Sequence, residues 1–321
     1  MADRQPDRFR FHDNIPNTIS QQAQDFMKIA VLFDVDPSRE DWPEVKKATY
    51  KFYEQLNADT KARYVEKLET LDISGVRVSV ITPKNYDSAN DTRAICYIHG
   101  GAYVLFSPQT TFGTYAPLGF RSGLKIYAID YRLAPEHPYP AAPDDCFAVY
   151  RELVKKYSPD SLGLFGDSAG GALALVTALR AHKQGVPLPA AIILSSPWVD
   201  ITKSGDSYYT NEGLDIVIHY ERNLRKAAEV YAGNRDMKDP EISPIYADFP
   251  RDLPPTMILT GTRDLFLSNC VRFYRAMKRA GIKVELNAWE GMWHDHIGFP
   301  DLPETDEAFA DFAAFFEKYL K

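Results

Sequence analysis

Ser161-Leu162-Gly163-Leu164-Phe165-Gly166-Asp167-Ser168-Ala169-Gly170 is the stretch from which the rest of the chain is read. Its first half is a short apolar run of strand character. The segment Ala172 to His182, rich in Ala and Leu, predicts a helix behind it. Between the two stands one serine framed by glycines at 166 and 170. A serine on a sharp strand-to-helix turn leaves no room for side chains beside it, and glycine removes them. Such a turn lifts the hydroxyl clear of the sheet and sets it at a helix N-terminus, where backbone N–H groups favour negative charge.

A second stretch upstream has the complementary chemistry. Ala94-Ile95-Cys96-Tyr97-Ile98 predicts a buried strand running directly into His99-Gly100-Gly101-Ala102. Glycines let backbone N–H groups converge on one concavity, which is what the oxyanion of acyl transfer requires. The expected donors are the amides of Gly100, Gly101 and Ala169. Asp167 is expected to scaffold the turn, accepting loop N–H groups or pairing with Arg132.

His-Gly-Gly-Ala followed by Gly-Asp-Ser-Ala-Gly resembles the hormone-sensitive-lipase branch of the α/β-hydrolase esterases. Four further stretches agree with that pattern. They are Asp130-Tyr131-Arg132-Leu133-Ala134-Pro135-Glu136-His137-Pro138, Ser196-Pro197-Trp198-Val199-Asp200, Ile242-Ser243-Pro244 and Gly291-Met292-Trp293-His294. The resemblance spans roughly residues 70 to 320. One departure is Ala102, where the commonest form has a third glycine; a tightened loop is expected there.

The resemblance implies an α/β-hydrolase fold whose triad runs Ser, then Asp, then His in chain order. After Ser168, the apolar strand Thr256 to Gly261 ends in Thr262-Arg263-Asp264, which makes Asp264 the orienting carboxylate. Asp252 and Asp239 sit in Pro-rich loops without a strand to deliver them, and Asp200 is expected to brace the loop beneath the serine. The family pattern places the base after Gly-Met-x, on His294, with His296 two residues on as its rival. His99 neighbours the oxyanion glycines, His137 lies in a proline-rich loop, and His182 and His219 fall in helical segments. A neutral imidazole can take the serine proton and return it to a leaving group.

Length and composition bound the remaining classes. The chain has 321 residues, 45% of them hydrophobic and 25% charged, which is ordinary for a globular protein. A formal charge of −7 without a dense Lys/Arg run argues against nucleic acid or anionic membranes as partners. No apolar run approaches the length of a bilayer span, and the N-terminal residues are polar. Cys96 and Cys146 fall on predicted core positions, and no Cys/His cluster has metal-ligand spacing. These features predict a soluble cytoplasmic enzyme without a cofactor; the resemblance implies a small-molecule ester or lactone as its substrate.

Alternation of strands and helices after residue 70 predicts a mostly parallel sheet covered on both faces. The strands are Val76–Ile81, Ala94–Ile98, Lys125–Ile129, the run before Ser168, Thr256–Gly261 and Lys283–Trp289. Helices are expected over Asp145–Tyr157 and Glu304–Leu320, with Gly185 and Gly281 ending two others. Residues 1–50, with Phe26, Ile29, Leu32 and Phe33 at helical spacing, are assigned to N-terminal cap helices. Residues 203–238, with a helix over Leu214–Tyr231, form a cap insertion, leaving 51–202 and 239–321 as the catalytic domain. The resemblance puts both caps over the active site, with Tyr103, Phe106, Phe33, Trp198 and Tyr208 as lining residues. It also implies a homodimer through the last strand, Lys283 to Trp289.

These readings predict a serine carboxylesterase for short- to medium-chain esters. A lactone hydrolase with the same triad is the enzymatic alternative. A non-catalytic small-molecule receptor on this scaffold would typically lack the histidine.

Overall fold

The computed structural model describes residues 14–30 and 35–321. The sheet is built from β1 (Val65–Ile73), β2 (Val76–Pro83), β3 (Ala94–Ile98), β4 (Lys125–Asp130), β5 (Leu162–Asp167), β6 (Ala191–Ser195), β7 (Thr256–Gly261) and β8 (Val284–Trp289). Its order is β1-β2-β4-β3-β5-β6-β7-β8; β2 pairs antiparallel with both β1 and β4, and every other pairing, from β4-β3 through to β7-β8, is parallel. The helices are α1 (Gln21–Ile29), α2 (Trp42–Leu56), α3 (Ala58–Tyr64), α4 (Phe112–Ser122), α5 (Ala141–Lys156), α6 (Ser168–Gln184), α7 (Ser207–Thr210), α8 (Arg225–Ala232), α9 (Leu267–Arg279) and α10 (Pro303–Tyr319).

Side-chain alternation along the strands divides the core in two. Cys96 and Ile98, Tyr127 and Ile129, and Leu162 and Leu164 point to a face covered by α5, α6 and α9. Ile95 and Tyr97, Ile126 and Ala128, and Phe165 point to the other, under α4 and α10. Both faces are apolar, so the central strands read as continuous hydrophobic runs, as a doubly covered parallel sheet demands.

Four expectations need correction. The sheet begins earlier than the alternation suggests: β1 is a strand although its residues are mostly exposed, because it forms the free edge and packs little. Val76–Ile81 is not half-exposed; sandwiched between β1 and β4, it buries all but Arg77. The helix expected over Leu214–Tyr231 forms only from Tyr220, as one π-turn (Tyr220–Leu224) leading into α8. Ahead of it the buried Asp215 accepts from Val217 and Ile218 N–H in the manner of a helix cap, but its other oxygen is committed to Leu265 and His294 N–H, and the chain stays non-helical up to His219. Helix α2 runs across residue 50, where the N-terminal cap was expected to end. No described helix is long and apolar enough to cross a membrane.

Candidate active site

Strand β5 ends at Asp167, and Ser168 opens α6 with φ +51°, a left-handed conformation that a β-carbon resists. The surrounding packing imposes it. A Cβ on Gly170 would lie 2.0 Å from the Ile98 carbonyl oxygen, and one on Gly166 would lie 2.3 Å from that of Gly170. Both glycines are therefore obligatory, and the serine between them is held at the end of the helix axis.

Two loops at the C-terminal ends of β7 and β8 complete the constellation. The Ser168 hydroxyl lies 2.9 Å from His294 Nε2, and His294 Nδ1 lies 3.2 Å from Asp264 Oδ1. Asp264 is fully buried and is held by donors on both oxygens: Phe266 N–H at 2.7 Å on Oδ1 and the Thr260 hydroxyl at 2.9 Å on Oδ2. An ionised Asp264 requires Nδ1 to carry a proton, which leaves Nε2 of the neutral ring as the acceptor for Ser168. His296, the rival base, is buried against Trp289, with ring centroids 5.8 Å apart. The Ser168 contact falls to His294.

Sequence reasoning missed Asp215. Its Oδ2 accepts both Leu265 N–H (3.0 Å) and His294 N–H (3.1 Å), while Oδ1 accepts Val217 and Ile218 N–H. One buried carboxylate from the connection between β6 and β7 thereby joins the loop carrying Asp264 to the loop carrying His294. Nothing in Gly213-Leu214-Asp215-Ile216-Val217 announces this, since an acid in such a loop is ordinarily solvated.

The oxyanion loop differs from expectation at Gly100. Its N–H donates to Asp167 Oδ2 at 3.0 Å, so it is committed and cannot serve an oxyanion. Asp167 also accepts the Tyr97 hydroxyl at 2.6 Å and does not pair with Arg132. Arg132 pairs with Asp145 (2.7 Å) and caps it with its own backbone N–H (2.9 Å). Gly101 has φ +106°, and a Cβ there would meet the Leu105 carbonyl oxygen at 2.2 Å, so only glycine fits. Ala102 follows at φ +53°. His99 donates within the loop, from Nδ1 to the Gly100 carbonyl at 2.7 Å, and stacks on Tyr131.

A family model for the alpha/beta hydrolase fold matches residues 95–298. An esterase of Acinetobacter venetianus is 32% identical over 281 residues, covering 84% of this chain and 92% of its own. An acetyl-hydrolase of Streptomyces hygroscopicus is 36% identical over 227 residues, covering 70% of this chain and 75% of its own. Among solved structures, esterase E25 superposes with a TM-score of 0.88 at 31% identity, covering 96% of each chain. An esterase from the bacterial hormone-sensitive lipase family gives a TM-score of 0.78 at 32% identity, covering 85% of this chain and 91% of its own. The chain belongs to the hormone-sensitive-lipase family of α/β-hydrolases. It is a carboxylic ester hydrolase.

In this esterase three of the aromatic residues expected to line a pocket are instead packed beneath His294. Tyr103 lies flat on Tyr231 of α8, with centroids 3.6 Å apart, and stacks on Trp198 at 5.8 Å. Trp198 stacks on Phe266 at 5.5 Å, and Phe266 meets the His294 ring edge-on at 4.8 Å. Tyr208 is buried beside this column, accepting the Trp198 indole N–H at 3.1 Å. Tyr103, Trp198 and Tyr208 are each no more than 1% exposed, so they fill the core beneath the site. Phe106 is half-buried against Tyr53 of α2, and its carbonyl accepts the Tyr50 hydroxyl. Phe33 lies outside the described residues. Asp200 braces its loop as expected, through Thr202, Tyr246 and Arg272.

Four carboxyls crowd the imidazole of His294 in this esterase. Burial works against a charged His294, but Asp295, then Asp264 and Asp215, outweigh it and raise its pKa to about 9. A single imidazolium cannot balance every carboxylate. Burial would raise Asp264 as well, but the adjacent His294 holds it below its ordinary value. Burial raises Asp215 to about 6, with help from the Asp264 charge. Asp167 is also raised to about 6 by burial, against the pull of Tyr97 and Gly100 N–H. Burial pushes the Asp295 carboxyl up, so its charged form depends on the adjacent His294 imidazolium and on the Ser195 hydroxyl, which both pull it back down. His296 is brought down to about 4 by burial, which outweighs the pull of Asp264 and of the Trp293 backbone, and stays neutral.

Proposed function

We propose that the esterase works through an acyl-enzyme on Ser168, with His294 as general base and acid and Asp264 as the group that orients it. The observation that carries this reading is the continuous chain from Ser168 Oγ through both ring nitrogens of His294 to Asp264, at 2.9 and 3.2 Å. Ser168 Oγ adds to the ester carbonyl carbon as its proton passes to Nε2. The same proton then goes to the departing alkoxide, leaving Ser168 acylated; water, deprotonated by His294, releases the acid. With Gly100 committed, the oxyanion donors are the amides of Gly101 and Ala102 in the loop and of Ala169 in the first turn of α6, whose N–H groups have no intrahelical acceptor. Short- to medium-chain carboxylic esters are the substrate class, in keeping with the acetyl-hydrolase among its relatives. Three buried free thiols, Cys96, Cys146 and Cys270, suit the reducing cytoplasm.

Ser168→Ala tests the reading. Turnover of p-nitrophenyl acetate and butyrate is expected to fall by roughly 10⁴-fold or more, with the circular dichroism spectrum unchanged. A fluorophosphonate probe should label the wild type at Ser168 and leave the variant unlabelled. Retained hydrolysis in a folded Ser168→Ala protein would overturn the assignment.

A further inference from the structure

Asp295 immediately follows the base in the chain and takes no part in the mechanism above. Its backbone is left-handed (φ +47°), which turns its carboxylate back towards His294. Oδ2 lies 3.2 Å from His294 Nε2, the same nitrogen that Ser168 Oγ approaches at 2.9 Å. The other oxygen, Oδ1, is anchored by the Ser195 hydroxyl at 2.8 Å, and the Asp295 N–H donates to Ser196 Oγ at 3.2 Å. The carboxylate is therefore fixed in place from the end of β6 and the loop behind it. A ring N–H has one direction to point, so Ser168 and Asp295 are alternative partners for Nε2.

We propose that Asp295 restrains the base: it accepts the Nε2–H of protonated His294 in competition with Ser168, holding the imidazolium between two carboxylates and deferring activity to alkaline pH. In that pose Asp264 accepts the hydrogen bond from Nδ1–H and Asp295 the one from Nε2–H, both protons stay on the ring, and Ser168 has no base. Loss of the Nε2 proton to solvent leaves a neutral ring, whose lone pair repels the Asp295 carboxylate and accepts the Ser168 hydroxyl. The groups facing this switch are Asp264 from the β7 loop, Asp215 from the connection between β6 and β7 and Asp167 from the end of β5, together with the neutral hydroxyls of Ser168, Ser195 and Ser196. Of these carboxylates, Asp295 alone sits on Nε2. Asp295 is thus a positioning residue, acting through His294. Its signature is a displaced pH profile, whereas a purely structural role would lower activity at every pH.

The inference rests on the triad reading, and the experiment separates the two. The wild type, Asp295→Gly and Asp295→Asn are compared by kcat/KM against pH, which reports the free enzyme. Glycine and asparagine both accept a left-handed backbone, so the loop is retained. Glycine is the decisive variant, since asparagine places an N–H donor near Nε2. The wild-type acid limb is expected well above the ordinary histidine range. In Asp295→Gly it is expected to move down by about one unit or more, a tenfold or greater loss of proton affinity. The pH dependence of the fluorophosphonate labelling rate should shift equally, independently of substrate. An unmoved limb, or a uniform loss of activity at every pH, would overturn the proposal while an inactive Ser168→Ala kept the triad intact. A fully active Ser168→Ala would instead remove the triad itself.

Discussion

Asp215 satisfies four backbone N–H groups with two oxygens, and two of those belong to the segments that present Asp264 and His294. An amide side chain has one acceptor oxygen where this position needs two. In Asp215→Asn either the Val217 and Ile218 amides or the Leu265 and His294 amides face an N–H donor, and leaving buried polar groups unsatisfied costs about 1–3 kcal/mol each. The ring of His294 then loses its fixed height over Ser168. We expect kcat to fall by roughly 10–10²-fold with KM changed little, since near-attack geometry is lost rather than substrate contact. Steady-state kinetics on p-nitrophenyl butyrate checks this, and a raised KM with unchanged kcat would refute it. At this scale the sequence disclosed the residues whose neighbours are in the same motif. Ser168 was legible from its flanking glycines. Gly100 was misread because its acceptor, Asp167, comes from a different strand 67 positions away.

Elements with an unbroken apolar run were legible to the residue. Strands β3 and β7 fall where Ala94–Ile98 and Thr256–Gly261 were drawn, because both are buried on two faces and contain nothing polar enough to mask them. Strand β1 was hidden for the opposite reason, and α4 because Pro117 and two glycines obscure its periodicity. The start of α1 is fixed by partners distant in the chain. Ser20 accepts from Ala23 N–H as the helix cap, while its own N–H and hydroxyl both donate to Glu304 at 2.6 and 2.9 Å, in the first turn of α10. Losing an N-cap network of this kind costs about 0.5–2 kcal/mol. Glu304→Ala should therefore speed hydrogen exchange of the α1 amides several-fold and leave the amides of β5 unaffected; unchanged α1 exchange would show that the cap does not depend on α10.

Over the whole molecule, the site depends on a sheet clamped by two separate cores. On the α10 side Phe316 sits directly over Gly163 of β5, where a Cβ would come within 2.6 Å of its ring. That contact ties the last helix to the strand that delivers Ser168. The chain end is fastened as well, with the Lys321 carbonyl accepting the Ser161 hydroxyl at 2.7 Å. Phe316→Ala leaves an aromatic-sized void on a glycine floor that cannot expand to fill it. A loss of about 3–5 kcal/mol is expected in chemical denaturation, with kcat at saturating substrate retained in the folded fraction. Stability within 1 kcal/mol of wild type, by the same measurement, would contradict the packing described.

The amino-acid order alone was sufficient for the family, the fold and the choice of Ser168, Asp264 and His294 as residues that meet in one place, since each lies in a short motif whose backbone path follows from local sterics. Folding in three dimensions decided the rest. It assigned Gly100 N–H to Asp167, turned Tyr103, Trp198 and Tyr208 into a column supporting His294, and brought Asp215 and Asp295 onto the histidine. Those outcomes are contacts between residues far apart in the chain or on unlike loops. Hydrogen bonds and stacking act over a few ångströms, so only the packed sheet, which sets such residues side by side, determines which groups meet.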